Sequence, residues 1–288
     1  MQLLNQILSS FHLNATIFHR AKMCNTWSTD TSGSGHASFH FISSGNAYLH
    51  TQEHQGVELN AGDMVIFPHD SQHLISNSST ANPDAPFISY AMDQSFPQST
   101  GLVCGYFDFS EDKTHPLLQQ LPACIILKQN SDHNLNRFLI HALVAEVELG
   151  ALSSNVMLSR MSEVFFMSVL RSLADEPEKV GFFKAIQDPK MYKVLTAIQN
   201  DLGFNWSVQN LAEIGGYSRA SFAQHFKSYL GLSPLEYLTR LRLSSAQKRL
   251  KSGDSVFQVA LEVGYQSDAA FAKAFKRHFG YGPGASRF

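Results

Sequence analysis

The chain has 288 residues, 44% of them hydrophobic, which is enough for two domains with cores of their own. It contains no apolar run long enough to cross a bilayer, and its N-terminus lacks the basic start and small-residue cleavage site of a signal peptide. These features argue against a membrane-spanning or secreted protein and predict a globular protein of the cytoplasm.

Charge is distributed unevenly, although the formal net charge is only -2. From residue 190 onward there are 13 basic and 6 acidic residues, a net charge of +7, whereas residues 1–189 carry 9 and 18, a net charge of -9. The pattern predicts a basic region that binds phosphates, joined to an acidic domain with another task. Eleven of the 13 histidines precede residue 190, which leaves metal binding, proton transfer and coincidence open.

Short β-prone runs separated by Gly, Asn, Asp and Ser occupy residues 21 to about 109, after a short N-terminal helix and strand. Many short strands at close spacing are typical of a sandwich or barrel. Among them, Gly62, Pro68, His73 and Asn77 match the second motif of the cupins, with Asp70 where that motif has a glycine. The segment resembles the cupin family, and the resemblance implies a β-barrel with His73 pointing into it.

The first cupin motif is mostly missing. Cupin enzymes hold a metal with three histidines and a glutamate, but here Ser38 stands where a motif opened by His36 has its second histidine, and the glutamate is absent. We therefore predict no enzyme activity, no catalytic residue and no cofactor. The alternative is a soft-metal site, such as a zinc site, formed by Cys24, His36 or His40, His73 and Cys104. Lone histidines on strands are more often packed or hydrogen-bonded polar groups.

Two amphipathic helices are predicted after the strands, at residues 135–149 and 155–173, because apolar residues recur there at helical spacing. Their apolar stripes fit either the β domain or a second copy of the chain, and we predict a homodimer. Residues 175–179, followed by Gly181, form the predicted linker. A helical region begins at Asp188 and Pro189.

The C-terminal region contains the same pattern twice. Residues 207–227 and 256–279 each consist of a short amphipathic helix, a glycine before a tyrosine, a serine cap and a second helix. The serines are Ser218 and Ser267. One such pattern can occur in any helical hairpin, but its repetition favours two helix-turn-helix units and hence DNA binding.

Together with the segment Gly231–Leu238, the linking helix after it and the closing Gly282 and Pro283, this region resembles the AraC/XylS family of transcription regulators. The resemblance covers about the last hundred residues. It implies a sequence-specific DNA-binding protein of α+β class, with promoter DNA and RNA polymerase as partners, and leans towards activation. The predicted domains are a cupin-like sensor at residues 1–112, a helical connector and dimerisation region at 113–188, and a DNA-binding domain at 189–288.

The resemblance also assigns groove-facing residues in the second helix of each unit. In the first unit they are Ala220, Ala223 and Gln224, with Arg219 and Lys227 beside them. In the second unit they are Asp268, Ala269, Ala272 and Lys273, with Lys276 and Arg277 beyond. Alanine offers only a methyl contact to thymine, so Gln224 and Lys273 are predicted to make the direct hydrogen bonds to bases. The phenylalanines at i, i+4 spacing are predicted core residues: Phe222, Phe226, Phe271 and Phe275.

Cys24, Cys104 and Cys124 are odd in number and lack CxxC spacing, so they do not form a disulfide framework. The surroundings of Cys24 and Cys104 are similar to those in a cupin-bearing branch of the family that includes a reactive-chlorine sensor. This resemblance implies that oxidation at Cys24, followed by a disulfide with Cys104, switches the DNA-binding form. The alternatives are inert cysteines in a small-molecule sensor, and a metal-binding cupin enzyme fused to a DNA-binding domain. Cys124 is predicted to be a packing residue.

Overall fold

The computed structural model describes residues 2–10, 13–94, 96–109, 115–130, 133–175 and 181–287. The chain forms two compact units, which confirms the predicted α+β fold with two domains. The β unit consists of residues 13–109 and 122–172. The helical unit contains the N-terminal helix, a short segment that ends at residue 121, and everything from residue 173 onward. The boundaries at 112 and 188 stay predictions, and most of the predicted linker lies outside the described residues.

The described residues of the β unit form ten short antiparallel strands. They are β1 (Asn14–Met23), β2 (Ser28–Thr29), β3 (Ala37–Ser44), β4 (Asn46–His50), β5 (Val57–Asn60), β6 (Met64–Phe67), β7 (Leu74–Ser76), β8 (Ser89–Tyr90), β9 (Thr100–Asp108) and β10 (Ile125–Leu127). One sheet has six strands in the order β10-β6-β3-β9-β1-β8, and the other has four in the order β2-β7-β4-β5. Within the described residues the strands therefore pair as two sheets, and the hydrogen bonding does not close into the single barrel that the cupin resemblance implied.

The strands β3 and β9 are central in the six-stranded sheet and are buried on both faces. One face contributes Ile42, Leu102 and Cys104 to a core shared with residues of the four-stranded sheet such as Leu49 and Ile75. Burial on both faces agrees with the apolar run Leu102, Val103 and Cys104 in β9. In β3 it also buries polar side chains, among them Ser38 and His40.

Two helices cover the opposite face of the six-stranded sheet. They are α3 (Asn134–Glu148) and α4 (Asn155–Ala174), close to the predicted ranges. Phe166 of α4 packs on Phe107 with ring centroids 4.7 Å apart, and Glu163 accepts a hydrogen bond from the backbone N of Ala15 at 3.0 Å. The part of the apolar stripe that faces the sheet is therefore used for packing within the chain.

Nine helices of the described chain belong mainly to the helical unit. They are α1 (Gln2–Ser10), α2 (Pro116–Gln119), α5 (Gly181–Gln187), α6 (Pro189–Asn200), α7 (Val208–Gly215), α8 (Arg219–Leu230), α9 (Pro234–Lys251), α10 (Val256–Glu262) and α11 (Asp268–Phe279). The N-terminal helix contacts α6 and buries Leu3, Leu4 and Ile7. No helix of the described residues is long and apolar enough to span a bilayer.

Candidate nucleic-acid interface and cavity

The first helix-turn-helix unit is formed by α7 and α8. The turn between them uses Gly216, whose φ of 65° is in the left-handed region that glycine adopts without steric cost. Tyr217 N then donates to Ala212 O at 2.9 Å. The next helix begins after Ser218, whose hydroxyl accepts a hydrogen bond from Ser221 N.

The second unit, α10 and α11, repeats this turn. Gly264 has a φ of 87°, and Tyr265 N donates to Ala260 O at 2.9 Å. Ser267 caps α11 by accepting a hydrogen bond from Ala270 N. The repeated glycine, backbone bond and serine cap confirm the prediction of two helix-turn-helix units.

The groove-facing residues predicted from the sequence all lie on the accessible surfaces of α8 and α11. The exposed ones are Arg219, Ala220, Gln224 and Lys227 on α8, and Asp268, Ala269, Lys273, Lys276 and Arg277 on α11. Ala223 and Ala272 are half-buried. The four phenylalanines are fully buried, as predicted: Phe222, Phe226, Phe271 and Phe275. Basic side chains and small methyl groups thus share two accessible helix faces, and contact with DNA stays a prediction.

The helix α9 connects the two units. It follows the N-cap Ser233, whose hydroxyl accepts a hydrogen bond from Glu236 N, and its 18 residues correspond to about 27 Å of continuous helix. Tyr237 packs against Phe226 of the first unit, whereas Leu243 and Leu250 belong to the core of the second. Because α9 contributes to the cores of both helix-turn-helix units, it limits how these two helix-turn-helix units can move relative to each other.

A cluster of polar side chains is buried in the β unit, between strands that are distant in sequence. His40 Nδ1 lies 3.0 Å from Cys104 Sγ, and His40 Nε2 lies 3.0 Å from His73 Nε2. The hydroxyl of Thr31 is 3.1 Å from His40 Nε2 and 3.0 Å from His73 Nε2. His73 Nδ1 lies 2.7 Å from the carbonyl oxygen of Ser71. The prediction that His73 points inward therefore agrees with its burial and its contacts.

One assignment of protons satisfies this whole chain of contacts. The Cys104 thiol donates to His40 Nδ1, His40 Nε2 donates to His73 Nε2, and His73 Nδ1 donates to Ser71 O. Both rings are then neutral. Burial, reinforced by the nearby rings of His73 and His19, holds the pKa of His40 well below its usual range, and burial also lowers the pKa of His73. Burial raises the pKa of the Cys104 thiol.

The cluster does not present its nitrogen and sulfur atoms to one point. The two ring nitrogens of His40 face different partners, so the Cys104 sulfur and the His73 nitrogen lie on opposite edges of the His40 ring. The described part of the chain contains no group of three His, Cys, Asp or Glu side chains placed to share a metal ion. His36 lies apart from the cluster and stacks on Tyr106, with ring centroids 4.5 Å apart.

A cavity of about 700 Å³ opens beside this cluster within the β unit. Its wall is formed by Asp30, His50, Thr51, Gln52, Glu53, Gln55, Phe67, Ser71, Gln72, His73, Leu74, Ala81, Pro83, Ala123 and Cys124. His73 belongs both to the wall and to the cluster, and its ring stacks on Phe67 at 3.7 Å between centroids. A change at the wall can therefore reach Cys104 through two histidine rings.

Cys24 and Cys104 are both buried and are well separated. In the pairing of β1 with β9, Met23 lies opposite Thr100 and His19 lies opposite Cys104. Cys24 follows Met23 and is therefore five residues along the chain from His19, the residue opposite Cys104. At the rise of a β-strand, this separates Cys24 from Cys104 by about 16 Å along the strand direction. A disulfide requires Cα atoms within about 7 Å, so the two thiols cannot bond in this conformation.

Three residues of this region were not predicted as site residues. Thr31 joins the buried cluster, while Glu53 and Cys124 lie in the cavity wall. Cys124 also packs against the core between the two sheets, in agreement with its predicted packing role. Cys124 is half-buried, and burial together with the charge of Glu53 raises the pKa of its thiol to about 12. No local pattern in the sequence marks these three residues, because only the folding of separate loops brings them to the site.

Comparisons with known proteins agree with both halves of this description. Residues 2–175 match the Cupin family, and residues 211–287 match a family described as a helix-turn-helix domain. An HTH-type transcriptional regulator of Haemophilus influenzae is 30% identical over 267 residues, 88% of this chain and 86% of the relative. An AraC-like transcription regulator of Streptomyces lividans is 31% identical over 190 residues, 65% of this chain and 62% of the relative. The RCS-specific transcriptional activator RclR of Escherichia coli is 28% identical over 254 residues, 86% of this chain and 83% of the relative.

Proposed function

The chain belongs to the AraC-type transcriptional regulators that carry an N-terminal cupin domain, and on this premise we propose that it is a cytoplasmic activator of specific promoters controlled by its β unit. The partners in this proposal are double-stranded promoter DNA, RNA polymerase and a second copy of the chain. The relatives are transcriptional regulators rather than enzymes, and the one named as an activator supports activation over repression.

Contact with DNA is proposed at the exposed faces of α8 and α11. The observation that carries this part is the pair of capped helices with accessible basic residues and methyl groups. Helices of this kind present base-contacting side chains to the major groove, while basic side chains and helix N-termini hold phosphates. Two such helices in one chain are expected to enter major-groove faces about 34 Å apart.

The test is fluorescence anisotropy of the full chain with the fragment upstream of its own gene, at a series of salt concentrations. Each phosphate contact releases counterions, so affinity should fall steeply as salt rises. The Lys276→Ala and Arg277→Ala variants should bind all fragments more weakly and show a shallower salt dependence. If neither the upstream fragment nor other genomic fragments raise the anisotropy, or if the affinity does not depend on salt, the DNA-binding proposal is wrong.

For the signal, we propose a small molecule that enters the cavity. The volume lies in the range of small-molecule sites, and the wall combines apolar and polar side chains. His73 connects that wall to the buried cluster at the centre of the six-stranded sheet. The proposal predicts that the inducing compound raises the melting temperature of the purified chain and alters promoter binding, without an oxidant.

The second candidate is an oxidant or electrophile that acts on Cys24 and Cys104. The specific observation in its favour is the relative RclR, whose name states that it responds to RCS. The distance between the two thiols means that each would act singly, or that the β unit would have to rearrange before a disulfide forms. The raised pKa of Cys104 also reduces the thiolate fraction on which oxidation depends.

A promoter-fusion reporter separates the two candidates. Under the cysteine hypothesis, hypochlorous acid induces the wild-type chain, and Cys24→Ser and Cys104→Ser abolish the induction. Mass spectrometry of thiols trapped before and after oxidant shows which cysteine reacts. If the double variant Cys24→Ser, Cys104→Ser responds as the wild type does, the cysteine hypothesis is wrong. The small-molecule hypothesis, in which the ligand binds in the cavity, is then the candidate that remains.

A further inference from the structure

The cavity wall combines apolar side chains with hydrogen-bonding groups. The apolar side chains include Phe67, Leu74 and Pro83, and amides come from Gln52, Gln55 and Gln72. A ligand that fits this wall has an apolar body and at least one polar group. This is the usual division of labour in small-molecule sites, where apolar contacts supply affinity and a few polar groups fix orientation.

The charges of the wall have one sign. Asp30 and Glu53 are its two carboxylates, both exposed, and none of the described residues that line the cavity is a lysine or an arginine. The histidines of the wall already have hydrogen-bond partners. Nδ1 of His50 accepts from Gly56 N at 3.2 Å and its Nε2 lies 3.0 Å from Ser78 O, while Nδ1 of His73 lies 2.7 Å from Ser71 O.

The negative charge acts on two residues of the cavity wall, Cys124 and His73. After burial, the charge of Glu53 is the second cause that raises the pKa of Cys124. The hydrogen bond to the Ser71 carbonyl, and after it the charges of Asp30 and Asp70, oppose the burial that lowers the pKa of His73. A ligand in this cavity would therefore meet a negative potential.

We propose that this cavity binds a neutral or cationic amphipathic molecule and discriminates against anions. The ligand places an amine or hydroxyl group towards Glu53, and its apolar body against Phe67. An anion would lose water in a wall that offers it no opposite charge, which is unfavourable even for a partly exposed group. This inference rests on the proposed function, because it names the ligand class of the same cavity.

The test compares three probes with one skeleton: 4-phenylbutylamine, 4-phenylbutan-1-ol and 4-phenylbutyrate. Isothermal titration calorimetry with the full chain at pH 7.5 should give at least tenfold tighter binding for the amine than for the carboxylate, with the alcohol between them. Equal or tighter binding of the carboxylate would overturn the inference, and so would a lack of binding by both the amine and the alcohol.

Two further measurements test whether the amine binds in this cavity. Glu53→Gln should weaken the amine at least threefold and leave the alcohol unchanged, whereas the matched control Glu148→Gln, an exposed carboxylate outside the cavity wall, should change neither. The bound amine should also slow the alkylation of Cys124 by iodoacetamide at least threefold. Unchanged amine affinity in Glu53→Gln, or unchanged labelling of Cys124, contradicts the assignment.

The promoter assay distinguishes this inference from the function on which it rests. If the amine binds as expected but no cavity ligand or cavity-filling variant such as Gln55→Trp alters promoter binding, the sensing function fails and the ligand class stands. If an anionic compound binds the cavity and alters promoter binding, the function stands and the ligand class is wrong.

Discussion

At the scale of single residues, His115 shows how a buried side chain can combine a structural role with a pH dependence. It caps α2, where its Nδ1 accepts a hydrogen bond from Leu117 N at 3.1 Å. Burial lowers the pKa of His115 to about 3. Protonation at Nδ1 would also remove the cap, so the neutral ring is the form that the fold stabilises.

This depressed pKa predicts a loss of stability in acid. Between pH 3 and 6.5 the unfolded chain binds a proton that the folded ring rejects, so the contribution of His115 is complete above pH 6.5 and declines below it. Lowering the pH from 7 to 5 should cost about 2 kcal/mol through this residue alone. His115→Asn keeps a capping oxygen but does not titrate, so urea unfolding of the variant should show a pH dependence smaller by that amount. An unchanged pH dependence would contradict the assignment.

The proposed base recognition is also a prediction about single side chains. Gln224 and Lys273 are exposed side chains beside small alanines, and each can hydrogen-bond a base edge. Gln224→Ala should cost about 1–3 kcal/mol at the preferred operator and much less at an operator changed at the contacted base. Arg277→Ala is the matched comparison, because loss of a phosphate contact weakens binding to every sequence alike. Competition binding against a library of single-base operator variants measures both; a uniform loss in Gln224→Ala would count against direct readout.

At the scale of elements, the two helix-turn-helix turns have similar backbones but different surroundings. Gly216 and Gly264 both have positive φ, yet a Cβ on Gly216 meets nothing within 4 Å. A Cβ on Gly264 would lie 2.5 Å from the Arg242 guanidinium and 2.7 Å from the carbonyl oxygen of Gly203. Arg242 in turn donates to Leu202 O and Phe204 O at 2.7 Å, so it cannot move away freely.

The two glycines therefore predict different costs for the same substitution. Gly216→Ala should cost about 1–2 kcal/mol, the penalty of the left-handed backbone alone. Gly264→Ala should cost more, because it adds a clash with Arg242 and with backbone. Thermal unfolding of the two full-length variants measures the difference. Equal stability of the two variants would show that the second turn can relax around a methyl group.

At the scale of the whole molecule, the helices α3 and α4 and the short segment between them leave large apolar side chains in solvent. Phe138 is 69% exposed, Leu152 is 84% exposed and Val156 is 70% exposed. Their sheet-facing partners are already packed, so these side chains are the part of the apolar stripes that remains available for the proposed homodimer.

If the chain dimerises through this surface, a charge introduced into the surface should weaken the dimer, and a charge introduced elsewhere should not. Phe138→Asp should shift the chain from dimer to monomer in light scattering coupled to size exclusion. Phe257→Asp is the matched control, since Phe257 is a 62% exposed phenylalanine on α10, outside the dimer surface. If the wild-type chain is a monomer, or if Phe138→Asp remains a dimer, the proposed dimer surface is wrong.

The sequence alone determined the helix-turn-helix units, because the signals that form them are local. Gly216 and Gly264 permit the turns, Ser218 and Ser267 cap the helices that follow, and phenylalanines four residues apart define the buried face. Each signal acts within one or two helical turns of its own position. The same is true of the strand-rich character of the N-terminal half, which depends on short β-prone runs and turn residues.

Only the tertiary structure decided what the N-terminal half brings together. His40 meets Cys104, 64 residues away, because β3 pairs with β9 in one register. The register of β1 against β9 keeps Cys24 about 16 Å away along the sheet. Thr31, Glu53 and Cys124 reach the site through loops whose ends are fixed by different strands. Strand register and loop closure depend on contacts distant in sequence, so no local pattern contains them.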